Sequence, residues 1–220
     1  MTGGLRRPDL MAGEDLPPPP RQQRSKTTRT RIKLAALALF AERGYEGTSV
    51  EDVTRRAGLA VGSFYLHYRS KRQLLLALMD ELIEALDGVD LRLADAPNVR
   101  QGLQTLLTRA LSSDLRYLGA YLAWEEAVAS DADLATRHRQ IHAWTTRRVL
   151  NALRRLQQAP GGRRGLDLPG LARVLDSLFW SFLARAPHSR QVEVARWIAA
   201  TTHLVYHAMF VDPSPKGRET

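Results

Sequence analysis

The chain has 220 residues, 44% of them hydrophobic, enough to bury a core in one large or two small domains. It has no cysteine, which excludes disulfides, thiolate metal sites and cysteine nucleophiles, and with no run near the ~18 apolar residues of a membrane span and no apolar signal stretch at its start it is expected to stay in the cytoplasm. The net charge is +9, and twelve basic against five acidic residues between Arg21 and Asp80 put +7 of it in one segment, a balance suited to nucleic acid or another anionic surface.

Residues 1–25 combine Gly3, Gly4 and the run Pro17 to Pro20 with few apolar side chains, and are expected to form a disordered arm. The basic stretch RQQRSKTTRTR leads into a helix over Thr28 to Arg43, where Ile32, Ala35, Ala36, Leu39 and Phe40 recur at helical spacing and Gly44 supplies a left-handed stop. Ser49-Val50-Glu51-Asp52 has the form of a capping box, Val50, Val53 and Ala57 share one face of a short helix, and Gly58 ends it. A second short helix is expected from Val61 to His67, and Ser70 or Lys71 opens a long one through Leu74, Leu78 and Leu82 to Gly88. Two short helices joined by a Gly-containing turn and preceded by a supporting helix make a helix-turn-helix. Beyond Pro97 the pattern predicts helices over 98–112, 114–129, 132–158, 168–186 and 188–210, with no strand alternation and no internal repeat. The expected fold is all-α, with an N-terminal three-helix DNA-binding domain over 26–72, a helical domain over 73–212 and a flexible tail over 213–220.

Residues 32–78, IKLAALALFAERGYEGTSVEDVTRRAGLAVGSFYLHYRSKRQLLLAL, resemble the TetR family of bacterial transcriptional regulators in their Ala-Ala, Leu-Phe, Gly-Tyr, Thr-Ser-Val, Ala-Gly, Gly-Ser-x-Tyr and Lys-x-x-Leu spacing. Lys33, Thr54, Ala60 and Val61 depart from it. The resemblance implies that the helix from Val61 is the recognition helix, pressed into the DNA major groove, and that Thr48 and Lys71 contact phosphate at helix N-termini. Gly62 and Ala60 permit close approach, Val61 suits thymine methyl groups, Ser63 can donate to a phosphate or base edge, and Tyr65 and His67 can reach phosphates. Phe64 is expected in the core. No Arg, Asn, Gln or Lys on this helix can bond a base bidentately, so selection leans on methyl contacts, DNA shape and outside residues. Thr54 and Arg55 are candidates for the last, as are Arg24, Lys26, Arg29 and Arg31, placed for an adjacent minor groove or for phosphate.

Near the C-terminus Leu171, Val174, Leu175, Leu178, Phe179 and Phe182 form one wide apolar face, and Val194, Trp197, Ile198, Thr201, Leu204, Val205 and Ala208 another. One helix pair cannot hide so much surface, and the resemblance implies a four-helix homodimer interface. It also implies a small-molecule effector, apolar, aromatic or cationic, with Tyr117, Tyr121, Trp124, Trp144 and Trp180 as candidate pocket walls that otherwise serve as core. The implied function is a repressor released by that effector from a near-palindromic double-stranded operator. An architectural protein that coats DNA without a ligand is the alternative. His138 with His142 and His203 with His207 have metal-compatible spacing but no third ligand, so neither metal nor cofactor is expected. No nucleophile and base constellation supports an enzyme.

Overall fold

A computed structural model of the chain describes residues 6–18, 23–90, 98–114, 117–185 and 191–210. Among these it forms nine α-helices: α1 (Gln23–Arg43), α2 (Val50–Ala57), α3 (Val61–Tyr65), α4 (Lys71–Asp87), α5 (Val99–Asp114), α6 (Leu118–Val128), α7 (Ala132–Gln157), α8 (Leu168–Arg185) and α9 (Gln191–Met209). No strand is present among the described residues, apart from an isolated bridge between Gly162 and Phe210.

Local chemistry accounts for the boundaries. The Ser49 hydroxyl accepts the Asp52 amide and the Asp52 carboxylate accepts the Ser49 amide, so the predicted capping box is formed. Gly58, at φ 63° and ψ 44°, closes α2 in the left-handed region. Ser70 caps α4 by accepting the Gln73 amide. The first helix starts at Gln23, earlier than the apolar spacing indicates, because its polar first turns hold no glycine or proline. The helix opened by Val61 stops at Tyr65, two residues before the expected His67.

One core runs from Ile32, Phe40, Phe64 and Tyr68 through the α4 leucines to Trp124, Trp144 and Trp180. A second, with Leu103, Leu153, Ala172, Val205 and Met209, joins α5, α7, α8 and α9. Helices α1 and α6 cross in close contact. A Cβ built on Gly119 would lie 2.0 Å from the Leu37 carbonyl oxygen, so only glycine lets the backbones meet. Seven residues on, the Glu126 carboxylate accepts the amides of Tyr45 at 2.6 Å and Glu46 at 3.1 Å, which ties the end of α6 to the turn after α1.

The expectation of disorder up to residue 25 fails for residues 6–18. Leu10 is fully buried, and Arg7 pairs with Asp80 of α4 at 2.7 Å. One buried leucine and a set of ion pairs offset the ordering cost that the composition appeared to forbid. The expected tail over 213–220 and the break near 186–187 lie outside the described residues.

Candidate nucleic-acid interface and interior cavity

The helix-turn-helix is stapled from α1. The Arg31 guanidinium donates to the carbonyls of Ala57 and Gly58 at the C-terminus of α2, where free carbonyls and the helix dipole favour a cation. Arg29 Nε donates to the Tyr68 hydroxyl at 3.1 Å, and its guanidinium lies 5.4 Å from that ring's centre. These contacts hold two of the basic residues expected to reach DNA against the protein. Lys26 is exposed; the side chain of Arg24 lies outside the described residues.

Around α3 the chain presents an apolar surface. Ala60, Val61, Gly62, Tyr65 and Leu66 are exposed, Ser63 half so, and Phe64 is buried as expected. A Cβ on Gly62 would meet nothing within 4 Å, so this glycine leaves room outward rather than serving a packing need. Leu66, at 72% exposed, is the barest of these side chains and was missed by sequence reasoning, since an apolar residue after a core Phe reads as core. Arg55 is exposed and paired with Asp52, while Arg69 faces Asp15 at 3.6 Å.

Three candidates are turned inward. The Thr54 hydroxyl donates to the Val50 and Glu51 carbonyls of its own helix, and the Thr48 hydroxyl to the Gly44 carbonyl at 2.8 Å; both residues are buried. A threonine hydroxyl in reach of a carbonyl four residues back satisfies itself locally, which removes both from direct contact with DNA. His67 is buried too, and that burial, with Arg29 nearby, pushes its imidazole below the usual range. Lys71 donates to the Tyr45 carbonyl at 2.7 Å with its ammonium 4.1 Å from the Tyr45 ring centre, yet stays half exposed, with further donors for a phosphate.

A cavity of about 170 Å³ opens between α4, α5, α7, α8 and α9, walled by Leu86, Leu107, Trp144, Leu153, Phe182 and Trp197 among others. Of the five aromatic residues expected to line a pocket, only Trp144 does. The buried Trp144 indole N–H has no hydrogen-bond partner among the described residues. Tyr121 and Trp180 stack on each other at 5.0 Å, Trp124 Nε1 donates to His138 Nδ1 at 3.1 Å, and the Tyr117 hydroxyl lies 3.5 Å from Glu81. Buried indoles need an acceptor, and these found theirs in an aromatic and polar layer beside the cavity. Leu175, Leu178, Thr201 and Val205, expected in a dimer interface, also line the cavity; Leu171 packs against the second core, Val194 against Phe182 and Ile198, and Ala208 is half-buried. Phe182 and Ile198 are buried inside the chain, whereas Val174 and Leu204 stand 53% and 50% exposed on α8 and α9.

The two histidine pairs do share helix faces, with ring centres 4.4 Å apart for His138 and His142 and 4.1 Å for His203 and His207. Among the described residues no group of three His, Asp or Glu side chains is arranged to hold a metal ion. Burial, followed by His142, holds the His138 imidazole below its usual range, with Glu125 and Asp176 opposing. Its Nδ1 accepts from Trp124, so the folded chain keeps it neutral. Below the ordinary imidazole value of ~6.5 the unfolded chain takes up a proton that the folded chain refuses, so stability is retained above that pH and falls beneath it. The melting temperature is expected to drop between pH 7.5 and 5.5, and by less in His138→Gln, whose amide oxygen keeps the Trp124 bond; His67 sustains the remainder. An equal drop in both chains would remove His138 from this account.

The family model for bacterial regulatory proteins of the tetR family matches residues 32–78. Among solved structures, the TetR-family regulator PfmR of Thermus thermophilus superposes with a TM-score of 0.67 at 18% identity over 80% of this chain and 97% of its own. The ketosteroid transcriptional regulator KstR2 of Mycobacterium tuberculosis gives 0.62 at 18% over 84% and 95%. SmeT, solved as a complex with triclosan, gives 0.64 at 23% over 86% and 99%. At such identities the structures establish the shared fold, which is the expected all-α architecture. No described helix is long and apolar enough to cross a membrane. Residues 32–78 thus match the helix-turn-helix segment of the tetR family of bacterial regulatory proteins, and the described helices around it share the fold of TetR-family transcriptional regulators.

Proposed function

We propose that the chain is a dimeric repressor, acting in the cytoplasm rather than as an enzyme, that holds a near-palindromic operator with the α3 surface of each protomer and releases it when a small apolar molecule fills the cavity. The observation that carries this reading is the placement of α4, whose Lys71 end adjoins the DNA-binding unit and whose Leu86 end walls the cavity. A ligand that favours one setting of α4 over another shifts the population of DNA-competent chains. The division at residues 72 and 73 follows from the same helix, with 26–72 binding DNA and 73–212 binding effector and partner.

Among the described residues, Val174 and Leu204 are the large apolar side chains left exposed on α8 and α9, and pairing these helices about a two-fold axis covers them. Such a dimer spaces its recognition helices by one DNA turn, ~34–36 Å. The cavity is close in size to an apolar site of ~150 Å³ that takes benzene, so the effector is of the order of one or two rings. An acceptor group on it would satisfy the unpartnered Trp144 indole N–H. The triclosan bound by SmeT and the ketosteroid in the name of KstR2 support an apolar ligand.

The test is selection of binding sites from random duplex DNA, followed by fluorescence anisotropy of the enriched site against random competitor. Retained binding at large competitor excess, weakened by one member of a panel of small aromatic carbonyl compounds or phenols, is the expected result. Loss in proportion to competitor would overturn it in favour of ligand-independent DNA coating, the reading favoured by the absence of base-bidentate side chains on α3.

A further inference from the structure

Residues 7–15 belong neither to the DNA surface nor to the cavity, yet they are tied to two helices at once. Toward α4, Arg7 pairs with Asp80 at 2.7 Å, the Leu10 amide donates to the same carboxylate at 3.2 Å, Glu14 pairs with Arg72 at 2.9 Å, and the Asp15 carbonyl accepts Gln73 Nε2 at 3.0 Å. Toward α7, Arg137 donates to the Leu10 carbonyl at 2.7 Å and lies 3.6 Å from Glu14. Leu10 is fully buried between these anchors, with Met11 packed beside it. Both helices take their main packing from other partners, α4 from α5 and α6 and α7 from α6 and α8. Direct linkage between them runs through Arg72, which pairs at once with Glu14, Asp131 and Asp133, and through Arg148 to Asp87 at 2.5 Å.

We propose that residues 7–15 are a strap that pins the middle of α4 to the start of α7 and so sets where the DNA-binding unit sits relative to the cavity. Asp80 lies about 14 Å along the helix axis from Lys71 and about 9 Å from Leu86, so the strap holds α4 between its two working ends. A fixed point there lets α4 pivot instead of sliding, which is what turns a small displacement at the cavity into a reorientation at α3. The strap itself stands on contacts within the chain; its consequence for DNA rests on the reading of α3 as the DNA surface.

The test uses the full-length chain and two variants. Leu10→Asp puts a charge where the strap is fully buried and releases it; Leu10→Met keeps an apolar filler. Amide hydrogen exchange over residues 71–80 and 131–138 is expected to quicken by at least ~10-fold in Leu10→Asp, with little change in Leu10→Met or in α8 and α9. Unchanged exchange in those segments, or a uniform rise through the whole chain, would overturn the strap. The second readout compares the selected operator with one carrying an extra central base pair. The native chain is expected to discriminate against the extra base pair by ~10-fold or more and Leu10→Asp by less than ~3-fold, since a loosened α4 tolerates altered half-site spacing. Equal discrimination would overturn the strap's effect on DNA placement. A native chain that enriches no operator would overturn the regulator reading instead, and exchange alone would then decide the strap.

Discussion

Valine in place of Gly119 is expected to destabilise the fold by about 3 kcal/mol or more, the upper range for overpacking. For a chain of this size, that lowers the melting temperature by roughly 6–12 °C. The added Cβ would stand 2.0 Å from the Leu37 carbonyl oxygen and 3.0 Å from the Ala41 amide nitrogen. Both obstacles are backbone, so no side chain can swing aside; α6 must lift from α1. The displacement carries Glu126 away from the Tyr45 and Glu46 amides, and with it the turn that leads into α2. DNA affinity is therefore expected to fall along with stability, and in Gly119→Ala to fall in the same order. A Gly119→Val chain that melts within 1 °C or so of the native one, by circular dichroism, would show that α1 and α6 are not in contact as described.

That crossing illustrates what a sequence displays and what it hides. Ser49 with Asp52, Gly58 after Ala57 and the apolar stripe of Ile32, Ala36, Leu39 and Phe40 act within a few residues of themselves, so their roles can be read from spacing alone. Gly119 carries no such mark, because the need for it is set by Leu37, far away in the chain. The strap was hidden for the same reason. Arg7, Leu10 and Glu14 look like solvent-exposed residues of a proline-rich arm until Asp80, Arg72 and Arg137 are brought to them. The cavity illustrates a second kind of opacity. Leu175, Leu178, Thr201 and Val205 share helical spacing with true core and interface residues, and spacing tells only that a face is turned away from water, not whether protein, a partner or a void lies opposite. Aromatic residues were expected there as pocket walls, but Tyr121, Trp124 and Trp180 satisfied each other and their neighbours first.

Aspartate at Val61 is expected to weaken operator binding by at least ~100-fold, about 2.7 kcal/mol, while leaving the fold intact. Val61 is 39% exposed and opens α3, so the change costs the core little. It sets a carboxylate among the phosphates and removes the apolar contact on which a helix without bidentate side chains depends. Thr54→Val supplies the control. Its hydroxyl is spent on the Val50 and Glu51 carbonyls and the residue is 1% exposed, so operator affinity is expected within about 3-fold of native, at a modest cost in stability from the lost buried hydrogen bonds. Anisotropy titrations at one fixed salt concentration compare the three chains, and the melting temperature separates folding from binding. If Thr54→Val lost as much affinity as Val61→Asp at an unchanged melting temperature, α2 would be a reading element in its own right and the apolar face of α3 would not be the main source of selectivity. If Val61→Asp bound as well as the native chain, α3 would lie outside the groove. The two neighbouring elements, one turned outward and one satisfied by its own backbone, thus give the pair of variants opposite expected effects, and that difference is what tests the proposed placement of DNA recognition on α3.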